Sequence, residues 1–571
     1  MNLFSYHTFL FPFQWYFTGK EMKYKTLEER TCINEFNSAF TGSKWVRKPY
    51  KTNTVLNYNE YNYFYNMVRE VLFDTGDELK DSIILNLFYD ITPDQFTYDF
   101  SVCSDANAQT FRKYSLLIDS IILHIYSTGV GLLSFHLNNR SEEQKEPDDI
   151  LRINQAGRRL YPPYFGLDKE ITGTQSQFEC RDFSFGLDMV KTKELASEFS
   201  LFSETNREDF DKYRNPDNFA SNPFRIPLHF QWLFQGIPLT VDKADMKLPG
   251  KKIFLSPLLD DRMFVLCWYG NNEISDRLKE RKGMKTDGSK KLAFENDDWW
   301  YKFVFNDQKD ATCQNQNMAE HLIINHTYER WSDYGTFYGI NRYSFVCLTG
   351  TMDSLKEKNA AFLVNHMQTM YYKISELCLV QRACLIRFSD EVSGISAMKD
   401  DPKAPLTIGV SNLYQQYLRF VNRIYFREVT AQEQGIEMYN LLQEHMKIEN
   451  NVKDLDREIQ ELHNYTTMLQ LQKQNRNIEL LTLIGTLFIF PSFISGFFGM
   501  NFFSSGTHAH YGFWRILLFL TPIILPAIGI LILIKYQQRH KGGYNRNSIV
   551  LLILGATIGL ITMIGFFMQM F

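Results

Sequence analysis

The sequence predicts an α+β body followed by a very long helix and an α-helical membrane domain, and three observations predict it. The last 92 residues, 480–571, hold no Asp or Glu. The 74 residues 411–484 hold no proline and a single glycine, Gly435. Residues 1–350 instead alternate short β-rich runs with turn-prone connections, the pattern of mixed α and β layers. The expected domains are an α+β domain over 1–350, a helical connector over 351–410, a stalk helix over 411–479 and a transmembrane domain over 480–571.

Within the body, the runs 82–89, 121–126, 132–137, 225–234, 263–268, 300–305 and 343–348 read as strands. Thr128-Gly129-Val130-Gly131 reads as the turn of a hairpin. The apolar N-terminus, MNLFSYHTFLFPFQWYF, lacks a basic lead and a small-residue cleavage site, and His7, Pro12 and Gln14 interrupt it. It reads as a buried first strand, not a signal peptide.

Composition excludes several classes of function. With 571 residues, 44% hydrophobic and 22% charged, the chain can build ordinary packed cores and is neither disordered nor collagen-like. Five of the 61 Lys and Arg lie in the acid-free tail, so residues 1–479 carry 56 basic against 65 acidic residues. An acidic body is a poor nucleic-acid binder, because phosphate neutralisation needs a clustered positive face. The eight cysteines form no Cys-x-x-Cys pair and suit a reducing compartment. No P-loop, His-Glu-x-x-His, Gly-x-Ser-x-Gly or zinc spacing is present, so the chain does not read as an enzyme and no covalent cofactor is expected.

Toward the C-terminus the period changes from two to helical. Residues 356–388 read as one helix, and 411–484 as another of roughly 110 Å at 1.5 Å per residue. Ile448, Val452, Leu455, Ile459 and Leu462 keep the 4-3-4-3 spacing of a seam between helices, which fits a soluble coiled coil or a stalk entering a membrane. The seam then turns polar at Asn464 and Asn475, as a wet vestibule requires. Ile478, Leu481 and Ile489 are candidates for a hydrophobic constriction that closes by dewetting.

Three charge-free apolar runs, 480–500, 516–534 and 549–571, approach or exceed the roughly 20 residues a helix needs to cross a bilayer. The loop 502–514 has no Lys or Arg, whereas 535–548 has four basic residues and no acid. The positive-inside rule then puts the body in the cytosol and, with three spans, the C-terminus outside. The expected location is a multi-pass protein of the inner membrane. Thr482, Gly485, Ser492, Gly496 and Gly499 recur at helical spacing in the first run, a small and polar stripe that serves either helix packing or pore lining.

That run ends in Gly499-Met500-Asn501 at the expected external mouth. The tripeptide, after a long helix and in the first of several C-terminal spans, resembles the signature of CorA-type divalent-cation channels. The resemblance covers roughly residues 350–535 and implies a homopentamer with five copies of the first span around the pore. It implies that the Asn501 amides meet a hydrated ion, Mg²⁺ or another divalent cation. Mg²⁺ holds its waters tightly, so neutral amide oxygens contacting those waters suit it. Two features depart from the family: the loop FFSSGTHAHYGF carries His508 and His510 but no acid, and the third span is extra. The two histidines read as solvated or interfacial side chains before they read as Zn²⁺ ligands.

Two segments of the body are polar and turn-prone: 152–163, with Arg152, Asn154, Arg158 and Arg159, and 330–343, with Trp331, Tyr334, Tyr338 and Arg342. Arginines meet phosphates bidentately and aromatic rings offer a stacking face, although surface arginines beside a glycine turn would look the same. A CorA-like module carrying a large unusual cytosolic domain resembles the membrane effectors of type III CRISPR defence. That resemblance implies gating by a nucleotide messenger, in one branch S-adenosylmethionine joined to AMP, and these eight residues are the candidates to bind it. The other reading is a Mg²⁺ uptake transporter gated by the cytosolic cation. A membrane-tethered enzyme is the least supported. The expected partners are copies of the chain, the bilayer and the small messenger, without direct nucleic-acid binding.

Overall fold

The computed structural model describes residues 2–22, 25–76, 82–103, 111–160, 190–191, 233–240, 249–259, 262–284, 290–308, 310–396 and 406–499. Met1–His463 forms one compact unit, and the second unit begins at Asn464.

The first unit is built on a mixed sheet. Its strands are β1 (Ser5–Thr18), β2 (Trp45–Arg47), β3 (Ile84–Tyr89), β4 (Phe96–Cys103), β5 (Phe111–Tyr126), β6 (Val130–Asn139), β7 (Val190–Lys191), β8 (Leu239–Thr240), β9 (Lys252–Pro257) and β10 (Phe264–Gly270). There follow a small separate pair, β11 (Arg281–Met284) and β12 (Lys290–Leu292), and then β13 (Thr327–Tyr328), β14 (Phe337–Ile340) and β15 (Ser344–Thr349). The main path runs β13-β14-β15-β10-β1-β6-β5-β3-β2, with β4 and β7 beside β5 and with β8 and β9 beside β1. β10 and β15 pair in parallel, as do β8 and β9; the other pairs are antiparallel.

The N-terminal segment is indeed a buried strand, and it is the hub of the sheet. β1 pairs with β6 on one side; on the other it pairs with β10 up to Leu10 and with β9 from Phe13 onward. Pro12, which has no N–H to donate, falls between those two partners, where no ladder bond is lost. Because side chains alternate, Phe9, Phe11, Phe13, Trp15 and Phe17 enter one core while Tyr6 and Leu10 enter another. Both faces of the sheet are therefore covered.

The helices that cover them are α1 (Leu27–Arg30), α2 (Ile33–Ala39), α3 (Val55–Tyr63), α4 (Asn66–Leu72), α5 (Pro147–Gly157), α6 (Asn272–Leu278), α7 (Asp298–Phe305), α8 (Gln316–His326), α9 (Met352–Glu357), α10 (Phe362–Gln368), α11 (Met370–Ser396), α12 (Leu406–Arg423), α13 (Glu433–His445) and α14 (Ile448–Gly499). Residues of α2, α5, α7 and α8 share the core of Phe9 and Trp15. Residues of α4 and of α10 through α14 share the core of Tyr6 and Leu10.

Several expectations hold: strands occupy 84–89, 121–126, 132–137, 264–268 and 344–348, and Gly129 turns the β5–β6 hairpin at φ 75°. Others are corrected. Residues 300–305 form helix α7, because Asp297 caps the Trp300 N–H at 2.9 Å and Asn306 closes the last turn in the left-handed region. Trp300, Phe303 and Val304 are spaced for one helical face, and that overrode the β-propensity of the aromatics. The helix expected over 356–388 is three helices, divided at Asn359, which adopts φ 53°, and at Thr369, the C-cap of α10. The run 225–234 lies almost wholly outside the described residues.

The single stalk helix is also corrected, since 411–479 is broken twice. After Arg423 the chain leaves α12, and Thr430 forms an isolated bridge with Phe64, supported by Tyr65 N–H to the Val429 carbonyl at 3.0 Å. Gln381 donates to the Ile424 carbonyl at 2.9 Å and Tyr439 to that of Phe426 at 2.6 Å. These partners satisfy the backbone that the helix would otherwise have satisfied. Lys447, at φ 55°, makes the second break. The seam positions Ile448, Val452, Leu455 and Ile459 are buried in the chain's own core, where Tyr417 of α12 donates to the Val452 carbonyl at 3.2 Å.

Among the described residues no helix is long and apolar enough to cross a membrane. The first apolar run forms the C-terminal part of α14, whereas the runs 516–534 and 549–571 lie outside the described residues.

Candidate functional site

The structure redistributes the eight candidate ligand residues. Residues 152–157 are the second half of α5, not a glycine turn. Arg152 interacts there with the Tyr114 hydroxyl and the carboxylates of Asp148 and Asp149. Asn154 is fully buried and its Oδ1 lies 2.8 Å from His7 Nδ1, so it holds α5 to β1 and is closed to a ligand. Burial lowers the pKa of His7 to about 4, so at neutral pH its ring is uncharged.

The end of α5 gives a different picture. Arg158 is buried, and its carbonyl accepts the Met263 N–H at 2.7 Å. Burial pushes the Asp307 carboxyl up, while Thr312 and the charge of Arg158 pull against that shift. Arg159 forms an isolated antiparallel bridge with Arg262. The guanidinium of Arg262 lies 5.6 Å from the Tyr343 ring centre and that of Arg382 lies 5.4 Å from it. Arg382 also donates to the Arg342 carbonyl at 3.0 Å. The guanidinium groups of Arg262 and Arg382 thus meet at Tyr343, where the N-terminal ends of β10 and β15 lie, and the backbone of Arg158, Arg159 and Arg342 adjoins them.

Sequence reading missed Arg262, Arg382 and the role of Tyr343. Arg382 sits in mid-helix 40 residues from its neighbour Arg342, and only the fold brings them together.

The second segment holds a helix in place. Arg330 pairs with Glu433 at 3.0 Å and Glu437 at 2.7 Å, near the N-terminus of α13. Arg342 donates to the His445 carbonyl at 3.3 Å, at the other end of the same helix. Tyr338 is fully buried in β14, edge-on to Tyr371 with centroids 5.7 Å apart, so it has no face for a ligand. Trp331 packs edge-on against Tyr328 and Tyr338. Tyr334 is 82% exposed.

On α14 the described candidates Asn475, Ile478, Leu481, Thr482, Gly485, Ile489 and Ser492 lie along one continuous helix. Ile478, Leu481 and Ile489 are each more than half exposed in the single chain. Thr482 returns its hydroxyl to the Ile478 carbonyl at 2.8 Å, which satisfies that hydroxyl within the helix. Gly499 is the last residue of α14. Gly496 belongs to the helix too, while Met500, Asn501, His508 and His510 lie outside the described residues. Among the described residues no group of three or more His, Cys, Asp or Glu is placed to hold a metal ion. Six of the eight cysteines are free thiols: Cys32, Cys267, Cys313, Cys347, Cys378 and Cys384.

Comparison with known proteins adds the following. No curated protein matches the chain. Among solved structures, the CorA magnesium transporter from Methanocaldococcus jannaschii is similar at 14% identity over 36% of this chain and 70% of that one, with a TM-score of 0.19, too low to transfer any geometry. The family model described as CorA-like Mg²⁺ transporter protein matches residues 412–535, from within α12 through α13 and α14 and past the Gly499-Met500-Asn501 tripeptide. What this chain shares with a known family is therefore confined to residues 412–535, which match the CorA-like Mg²⁺ transporter model.

Proposed function

We propose that the chain is a CorA-type channel for divalent cations, with Mg²⁺ the first candidate cargo, and that its α+β body governs when the pore opens. One observation carries this reading: the family match runs uninterrupted across Gly499-Met500-Asn501 and the second apolar run. In this reading five copies associate, residues 480–500, 516–534 and 549–571 span the inner membrane, and the body is cytosolic. Asn501 offers an amide ring to the ion's water shell, which avoids the cost of dehydrating Mg²⁺. Ile478, Leu481 and Ile489 are apolar and exposed in the single chain, as residues that form a dewetting gate between copies must be. The test is Asn501→Ala in reconstituted vesicles. Flux should be abolished with folding and oligomer size unchanged, and normal flux would remove the pore assignment.

Gating separates two forms of the reading. A transporter sensing cytosolic Mg²⁺ rescues a magnesium-transport-deficient strain without any other ligand. A channel gated by a nucleotide messenger, as in the type III CRISPR effectors with S-adenosylmethionine joined to AMP, does not. The meeting of Arg262 and Arg382 at Tyr343 favours the second form, because the neighbouring Arg342 also holds the end of α13 inside the CorA-like segment. A phosphodiester there would bias that contact, shifting the population of helix arrangements. A charge-assisted contact is worth roughly 1.5–3 kcal/mol, so Arg159→Ala and Arg262→Ala should each weaken binding of that messenger about tenfold to a hundredfold. Unchanged affinity in both variants places any messenger site elsewhere.

A further inference from the structure

A cavity of about 250 Å³ lies on the first unit, with Glu28, Thr31, Thr128, Arg419 and Arg423 in its lining. It shares no residue with the arginine cluster at Tyr343. Its walls come from the loop and helices after β1, from the residues leading into β3, from the β5–β6 turn and from the end of α12. The first three belong to the α+β body, whereas Arg419 and Arg423 belong to the CorA-like segment.

The chemistry of the lining is one-sided. Among the described residues its charged groups are two arginines and one carboxylate, and that carboxylate, Glu28, is ion-paired with Arg419 at 2.8 Å. Arg423 stands in the last turn of α12 with no ion pair among the described residues. The rest are hydroxyls, an amide, a thiol and three isoleucines, without an aromatic ring among the described residues.

A third arginine stands at the wall. A Cβ built on Gly129, the turn residue after Thr128, would lie 2.8 Å from Arg387 Cζ, 2.9 Å from its Nη1 and 2.9 Å from the Thr31 methyl. The guanidinium therefore fills the space that the glycine leaves open beside two lining residues. Arg387 is 2% exposed; its Nη2 pairs with Glu391 at 2.9 Å, but its Nη1 is buried without a hydrogen-bond partner. An orphaned guanidinium N–H is costly, and an acceptor oxygen at the Thr31–Thr128 wall would relieve that cost.

We propose that this cavity is a binding site for a small soluble phosphate ester or diphosphate, held by Arg419 and Arg423 in front, with Arg387 behind Thr31 and Thr128. The described lining residues offer guanidinium groups and no aromatic face, which suits a phosphoryl group and not a nucleobase. Bound there, the anion ties the end of α12 to the body. If the channel reading holds, the anion acts on gating through the first helix of the CorA-like segment.

The probe is inorganic pyrophosphate titrated into the full-length protein in lipid-free detergent, with binding read by calorimetry. Arg419→Ala and Arg423→Ala replace exposed side chains and should each weaken binding about tenfold to a hundredfold with an unchanged melting temperature. Glu28→Gln, which removes the competing carboxylate, should tighten it. Arg387→Lys keeps the charge but not the second N–H at the wall, and should weaken binding while keeping the fold. Three outcomes overturn the proposal: no saturable binding of pyrophosphate, unchanged affinity in both α12 variants, or binding seen only with vesicles bearing a phosphomonoester lipid, which would assign the site to a headgroup. Because the readout is binding and not flux, it fails or succeeds independently of the Asn501→Ala experiment.

Discussion

The two faces of the sheet are buried equally and built differently. On the face toward α2, α5, α7 and α8, β1 contributes Phe9, Phe11, Phe13, Trp15 and Phe17, and packing is largely aromatic on aromatic: Trp15 lies 4.7 Å from Phe36 and Trp45 lies 5.1 Å from Tyr89, both edge-on. On the face toward α11 the core is threaded by a hydrogen-bonded network. Lys373 pairs with Glu376 at 2.8 Å, and Tyr126 donates to the same carboxylate at 2.7 Å. His124 reaches Asn86 at 2.6 Å and Tyr372 at 2.7 Å, and Ser134 meets the same tyrosine hydroxyl at 3.0 Å. Apart from the His7–Asn154 bond to α5, the aromatic face is held by ring packing, which accepts many arrangements of similar energy, whereas a polar network is satisfied in one register. The face that must fix a helix is the face with the network: α11 carries Arg382 and Arg387 and leads into the CorA-like segment.

The largest effect that could break this contrast is at Glu376. Its removal leaves Lys373 charged and unpaired in a buried site. Glu376→Ala should cost about 3–5 kcal/mol of unfolding free energy, measured by denaturant titration of the full chain. The double change Lys373→Met with Glu376→Leu removes both charges and should recover most of that loss. If the double variant is as unstable as the single one, the network contributes through its shape and not through its charge balance.

Acid should act on the two faces through their buried histidines. Burial lowers the pKa of His136 to about 3, with His124 and Lys373 adding to the effect, and that of His7 to about 4. Each folded-state pKa is depressed below the ordinary 6.5, so the unfolded chain binds the proton first. The stability these rings contribute is full above pH 6.5 and is lost as pH falls toward their folded values. At pH 5 the loss is about 2 kcal/mol for each ring. The carboxyls of buried Glu60 and half-buried Asp119 are pushed up and act in the opposite sense. The comparison is therefore between wild type and His136→Gln: the variant's melting temperature should fall less between pH 7 and pH 5. Parallel curves would mean that the ring is not buried neutral.

These contrasts also show what a sequence reveals. The strands of the body were legible because a period of two needs only local pattern, and Gly129 marked its own turn. The breaks in 411–479 were not, because neither contains proline or glycine; Gly435 lies inside α13. The first forms because Phe64 and Gln381, distant in sequence, and Tyr439 of the next helix bond the backbone there more effectively than another helical turn would. The same holds at the arginine cluster. Arg158, Arg159 and Arg342 stood in segments that looked unusual, but Arg262 and Arg382 did not. Asn154 and Tyr338 looked like ligand groups because a polar or aromatic residue in a turn-like run reads the same whether it faces water or core. The tripeptide Gly499-Met500-Asn501 was legible for another reason: its meaning comes from position along the chain and needs no fold.

The smallest expected effect sharpens the aromatic side of the comparison. Phe13 sits against Gly131 of β6 so closely that a Cβ on Gly131 would lie 2.4 Å from Phe13 Cζ. Phe13→Leu is a near volume-conserving change in a core with many neighbouring rings, and should cost no more than about 1.5 kcal/mol. Gly131→Ala against the intact ring should cost about 1–3 kcal/mol, because the ring cannot leave without displacing its neighbours. The two changes act on one contact. The double variant should therefore be more stable than the sum of the single losses predicts, with a coupling of at least about 0.5 kcal/mol. An aromatic core that repacks once the ring is shortened gives this coupling without any loss of cooperativity in the unfolding transition. Strict additivity would show that the strand at Gly131 shifts instead of the ring, and that the aromatic face is as tightly specified as the polar one.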